Sequence, residues 1–276
     1  MINLFVCCHK PSPVPAHPLL IPVQVGSALS GEEFPGFLHD NTGDNISSLN
    51  RSYCELTAQY WAWKNYASDY YGFFHYRRYL YPDVAAKQPY RLEKHLTAET
   101  LQKLNFDQFS SIIPQYDIIL PKTEEMHVSV RSHYASAPFH HAKDLQLVES
   151  IIKVHWPSFV PSMETYLSQT GLYFGNIFIM SSLVFHNYCN WLFPILEEFS
   201  SVTDFLSRSP QEMRAAGYLG ERLLGIYYTQ HKPDLKSLEL PRVHFLSGKE
   251  YYQKKLINTL LPPESYRRSW IKNLRR

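Results

Sequence analysis

The spacing of apolar residues changes along the chain, and each change marks an element. Residues 2–8 are apolar almost without interruption. So short and continuous a run predicts a strand covered on both faces. It ends in His9-Lys10 and a loop holding Pro11, Pro13, Pro15 and Pro18. Residues 21–26 form a second short strand or strand-like loop. Residues 40–45 are all turn chemistry, with Gly43 suited to positive φ and Asp and Asn side chains able to bond their own backbone. Leu49, Tyr53, Leu56, Tyr60 and Trp63 then recur at alternating steps of four and three. That spacing predicts one long helix with a single buried face, capped by Asn45, Ser47 or Ser48. Trp61 and Lys64 fall just off the stripe, and Glu55, Gln59 and Asn65 fall towards the other side. The aromatic run 71–76 reads as a buried strand ending in Arg77-Arg78. Adjacent arginines in a strand point to opposite faces, so at least one is expected at the strand end.

Beyond it, residues 81–110 read as a loop with one helix, and 116–121 as a strand stopped by Pro121. Residues 122–139, with His127, Arg131, His133 and Tyr134, read as a mobile flap. Helices are expected over 140–154, 161–167, 183–199 with a break or kink near Pro194, and 217–228. Residues 173–180 form another strand, where Gly175-Asn176 suggests a bulge or a close backbone approach. Strands alternating with helices predict one α/β domain with a mixed, mainly parallel sheet flanked by helices.

Composition narrows the function. The chain has 276 residues, 45% of them hydrophobic, enough for one sizeable core. A formal net charge of +2 is too small for a duplex nucleic-acid binder, so no nucleic-acid partner is expected. Aromatics reach 15%, and aromatic faces suit sugar rings and bases as well as cores. Cys7, Cys8, Cys54 and Cys189 have no zinc-like spacing and read as reduced thiols of a cytoplasmic protein. The opening run is too short for a signal peptide, and no stretch is long enough to span a bilayer. Lys254, Lys255, Arg267, Arg268, Lys272, Arg275 and Arg276 cluster near Leu261 and Trp270. They suit either peripheral contact with an anionic membrane surface or a solvated terminal helix.

Several blocks together resemble a bacterial family from capsular and exopolysaccharide loci, formerly filed as a domain of unknown function and regarded as GT-A-type glycosyltransferases. These are Cys8-His9-Lys10; residues 22–26; Gly43 to Ser47; Tyr53 to Thr57 with Tyr60 to Asn65; Gly72 to Tyr79; Asn176 to Met180; and Glu221 to Leu224. The resemblance covers about residues 1–230, leaving 231–276 as an extension packed on or trailing the domain. It implies a GT-A-like domain that moves a hexosyl group, galactose or galactofuranose among the candidates, from a UDP-sugar to a hydroxyl of a growing, lipid-linked surface glycan.

On that reading Arg77 and Arg78 bind the donor diphosphate, or else pair with a carboxylate. Gln24, Gly26, Asp44 and Asn45 are further donor-side candidates, against loop and cap duty. Asn176, Tyr173 and His133 are candidates for the acceptor side. Glu221 is the general-base candidate, read as opening its helix, against a pair with Arg222 or Arg214. His75 is a second catalytic candidate, against a core histidine. GT-A enzymes usually hold a metal through Asp-x-Asp, which this sequence lacks. The expectation is therefore no metal, with Asp40 and Asp44 the alternative ligands. A hydrolase would recruit His75, His133, His140 and His141 with Asp144, and a scaffold would use the aromatics without a base.

Overall fold

The computed structural model describes residues 1–94, 96–102, 104–262 and 265–267. Of the basic tail, Arg268, Trp270, Lys272, Arg275 and Arg276 lie outside the described residues. The strands are β1 (Ile2–Cys8), β2 (Leu20–Gln24), β3 (Leu38–His39), β4 (Tyr70–His75), β5 (Arg78–Leu80) and β6 (Tyr90–Glu93), followed by β7 (Ile118–Pro121), β8 (Glu124–Glu125), β9 (Gly171–Leu172), β10 (Phe178–Ser181), β11 (Ser237–Leu240) and β12 (Arg242–Phe245). The helices are α1 (Asn50–Tyr53), α2 (Leu56–Asn65), α3 (Ala98–Gln102), α4 (Phe106–Ile112) and α5 (Val130–Ser136), then α6 (Ala142–His155), α7 (Val160–Ser168), α8 (Ser182–Ser201), α9 (Ala215–His231) and α10 (Gly248–Leu260).

The main sheet runs in the order β11-β7-β10-β4-β1-β2-β3. Along that path β10 is antiparallel to both neighbours, and the other pairings are parallel. This is the expected mixed, mainly parallel α/β sheet. β1 lies between β2 and β4 and is buried from Asn3 onward, which is why its sequence is continuously apolar. Alternate residues feed two cores. Phe5, Cys7, Tyr71 and Phe73 pack under α2 and α5–α9. Leu4, Val6, Cys8 and Phe74 pack with Phe106, Phe109 and Tyr79 on the other face.

Several expectations need correction. The expected long helix after residue 45 is broken. A 3-10 turn and α1 stop at Cys54, which takes φ 52°, and α2 starts afresh at Leu56. The stripe therefore rotates: Leu49 is exposed, and Gln59 and Trp61 are buried. Residues 81–110 hold two helices, α3 and α4, rather than one. Residues 122–139 are no open flap, since Val130 and Tyr134 are fully buried and Arg131 bridges Glu149 and Glu164. α8 runs uninterrupted through Pro194. α9 begins at Ala215, so Glu221 sits in its second turn and not at its start. The segment after residue 230 contributes β11 and β12 to the sheet. β12 pairs with β5 and β6, so the expected extension carries part of the sheet. Among the described residues, no helix is long and apolar enough to cross a membrane.

Candidate active site

The carboxyl ends of β1 and β4 open into a cleft with two lobes. In open α/β sheets ligands bind outside these ends. The first lobe, about 610 Å³, is lined by Cys7, His9, Val25, Asn50, Arg51, His75, Arg77, Pro210 and Met213. The second, about 620 Å³, is lined by His133, Ala137, Pro138, His140, Phe174, Gly217, Tyr218, Glu221 and Arg222. Cys54, Glu55, Arg78 and Arg214 line both and form the boundary.

Arg77 and Arg78 reach the same lobe because β4 ends one residue earlier than expected. Tyr76-Arg77 is a tight turn, and Arg78 begins β5, paired with His75. Antiparallel β12 holds β5 in place, with His244 opposite Arg78. His75 accepts a hydrogen bond at Nδ1 from the Arg77 backbone N–H, 3.2 Å away. Burial, then Arg78 and Arg77, pushes its pKa down to about 2. The ring is thus neutral and carries its hydrogen on Nε2, which makes it a donor into the lobe. Burial also lowers the pKa of His9, and that of His140 to about 3. The cleft therefore sets arginines beside the neutral imidazoles of His9, His75 and His140.

The second lobe is built on α9. Its glycines let this helix approach the α1–α2 corner closely. A Cβ at Gly217 would lie 3.1 Å from Cys54 Sγ, and one at Gly220 2.9 Å from Asn176 Oδ1. Glu221 is held on both oxygens: Oε1 accepts from Gly175 N–H at 3.0 Å, and Oε2 from Arg222 Nη1 at 2.6 Å. Burial raises its pKa, against the lowering effect of Arg222. Arg222 is itself buried and donates on to His133 Nδ1 at 3.3 Å. Removing Glu221 would leave that guanidinium uncompensated, at a cost of about 3–5 kcal/mol.

Of the residues given donor, acceptor or catalytic roles from the sequence, the cleft brings together His75, Arg77, Arg78, His133 and Glu221. The others do not line either lobe. Gln24 is buried and ties the 30–34 loop through Glu32 and Phe34. Gly26 has φ 70° and donates to Asp40. Asp44 faces solvent against Tyr60 and Asn65, and Asn45 closes its own turn on Gly43 and Ser47. Asn176 is buried and donates to the Gly217 carbonyl, and Tyr173 donates to Glu239 while its neighbour Phe174 lines the cleft. Asp40 is fully buried and accepts from Gly26, Ser27, Ser47 and Thr57, which fills its lone pairs. Among the described residues no three His, Cys, Asp or Glu side chains form a metal-holding group. Of the hydrolase set, His75, His133 and His140 line the cleft, whereas Asp144 is clamped by Arg208 and His141 by Glu212.

A family model described as a domain of unknown function, DUF4422, matches residues 3–232. The chain belongs to the DUF4422 family. No curated protein matches it in sequence. Among solved structures it is similar to the apo form of WbbM, a bifunctional glycosyltransferase, at 31% identity and a TM-score of 0.83. The match covers 88% of this chain and 45% of WbbM, so the chain spans less than half the length of that protein. The DUF4422 segment contains both lobes, whereas β11 and β12 lie beyond residue 232.

Four cleft residues were missed or undervalued by sequence reasoning. An unbroken helix puts Glu55 towards the side away from the apolar stripe, and the break at Cys54 puts it at the cleft instead. Arg214 reads only as a partner for Glu221, and His9 as a strand end within the Cys8-His9-Lys10 block. His140 entered only with the hydrolase set. For His9 the signal was present, since polar residues just after a central strand are where α/β ligands bind.

Proposed function

We propose that this DUF4422 protein is a glycosyltransferase that moves a hexosyl group, galactose or galactofuranose, from a UDP-sugar to a hydroxyl of a growing, lipid-linked cell-surface polysaccharide. The observation that carries the reading is the pairing of lobes. An arginine-lined lobe at the ends of β1 and β4 meets a second lobe lined by Phe174, Tyr218 and carboxylates. The similarity to WbbM supports the same reaction class.

In this reading Arg77 and Arg78 grip the diphosphate and neutralise the charge that grows on it as it leaves. Neutral His75 donates from Nε2 to a phosphate or sugar oxygen. Phe174 and Tyr218 offer apolar faces to the acceptor sugar. The anomeric carbon lies at the boundary, where Glu55 and Glu221 are the carboxylates within reach of an incoming hydroxyl. No metal is required, because the arginines take the place that Asp-x-Asp and a cation fill elsewhere.

The test is UDP release from UDP-galactose and UDP-galactofuranose, with and without a lipid-linked glycan acceptor, in a chelator. Acceptor-dependent release that persists in the chelator is expected. Release without acceptor would indicate a hydrolase, and none under any condition a scaffold. Loss in chelator restored by manganese or magnesium would overturn the metal-free mechanism.

A further inference from the structure

The second lobe offers two carboxylates, and their surroundings differ in kind. Glu221 has an N–H on one oxygen and a guanidinium on the other. The Glu55 carboxylate has no hydrogen-bond or ion-pair partner among the described residues, while its backbone carbonyl accepts from Ala58 and Gln59, and the residue lines both lobes at their boundary. An oxygen that must receive a proton needs an open lone pair facing the substrate.

We propose that Glu55 is the group that takes the proton from the acceptor hydroxyl, and that Glu221 is a positioning residue. The assignment rests on the transferase reading above. The hydroxyl oxygen forms a bond to the anomeric carbon. The bond from that carbon to the diphosphate oxygen breaks, and its electron pair leaves with UDP. The hydroxyl proton passes to the Glu55 carboxylate. This single displacement inverts the anomeric configuration.

The fold supports the assignment by the care with which it builds the corner that presents Glu55. Cys54 takes φ 52°, an uncommon conformation for a residue with a side chain. The turn it makes ends α1 and places Glu55 at the corner before α2. The corner is then clamped from below. Asn50 Nδ2 donates to the Cys54 carbonyl at 2.7 Å and to Thr57 Oγ1 at 3.0 Å. Thr57 donates to buried Asp40 at 2.6 Å. From above, Arg214 Nε donates to Cys54 Sγ at 3.2 Å. A fixed backbone under an open carboxylate is what a positioned base needs. Glu221 instead fixes the Gly175 turn and balances buried Arg222, which in turn orients His133.

The test uses the full chain with Glu55→Gln, Glu55→Ala and Glu221→Gln. Turnover is read as acceptor-dependent UDP release, affinity by calorimetry with UDP, and folding by thermal melting. Glu55→Gln should lower kcat by about 100-fold or more while UDP affinity and Tm stay near wild type. Formate should restore part of the activity of Glu55→Ala, because a small carboxylate can enter the space left. Glu221→Gln should lower Tm and distort acceptor KM, the marks of a positioning role. Near-normal kcat in Glu55→Gln would overturn the assignment. So would loss of kcat in Glu221→Gln with Tm and UDP affinity unchanged. Wild-type protein that releases no UDP would overturn the transferase reading itself, and this assignment with it.

Discussion

Asp40 and Glu55 are both acids beside turns, yet the fold uses them in opposite ways. Asp40 is saturated by four donors inside the protein, and Glu55 is left open at a cleft. Local sequence does not separate these fates, because the difference lies in contacts between distant segments. Positive φ at Cys54 is equally silent, since glycine is the residue that announces such a turn. Arg77 and Arg78 were legible: a buried strand ending in two charges marks a place where charge must meet solvent or ligand. His75 was legible as a position but not as a state. Its pKa is lowered to about 2 by burial and then by Arg78 and Arg77. The unfolded ring, near the ordinary 6.5, therefore binds its proton first as pH falls. Its contribution to stability is full above about pH 6.5 and is lost progressively below it, by at most about 1.4 kcal/mol per pH unit. We expect Tm to fall between pH 6.5 and 5, a window above most carboxylate titration. His75→Gln should reduce the slope of that fall, the remainder coming from His140 and His244, whose pKa values burial also lowers. An unchanged slope in the variant would show that His75 is not held neutral.

At the scale of elements, strands were easier to read than helices. β1 and β4 are central, so burial on both faces writes them as unbroken apolar runs. The helix after residue 45 was misread because an apolar stripe extends smoothly across a break that costs only one residue. β11 and β12 were missed because their burial depends on β7 and β5, far away in sequence. The last helix, α10, has no buried residue and leaves Tyr252, Leu256, Ile257 and Leu260 exposed beside Lys249, Lys254 and Lys255. Apolar residues flanked by lysines suit the boundary of an anionic bilayer, where a lipid-linked acceptor would reside. We propose peripheral attachment through α10. The protein should then co-sediment with vesicles containing an anionic phospholipid more than with neutral ones. Leu256→Asp with Leu260→Asp should reduce that binding several-fold without changing UDP affinity. Equal partition to both vesicle types, or no effect of the double substitution, would contradict this attachment.

On the scale of the whole molecule, one sheet organises everything. Its two faces bury separate cores, and its carboxyl edge holds the arginine-lined lobe. The α1–α2 corner and α9 close the second lobe, drawn together by glycines at 217 and 220. β12 completes the arrangement from the far end of the chain by bracing the strand that carries Arg78. We propose that the first lobe receives a nucleotide diphosphate through arginine. Calorimetric titration of UDP, without metal, into wild type and into Arg77→Ala with Arg78→Ala tests it most directly. A charge-assisted hydrogen bond is worth about 1.5–3 kcal/mol, and each 1.4 kcal/mol is about tenfold in affinity. Saturable binding to wild type and at least about tenfold weaker binding to the double variant are expected. Equal affinities in the two proteins, or no UDP binding by wild type, would contradict it.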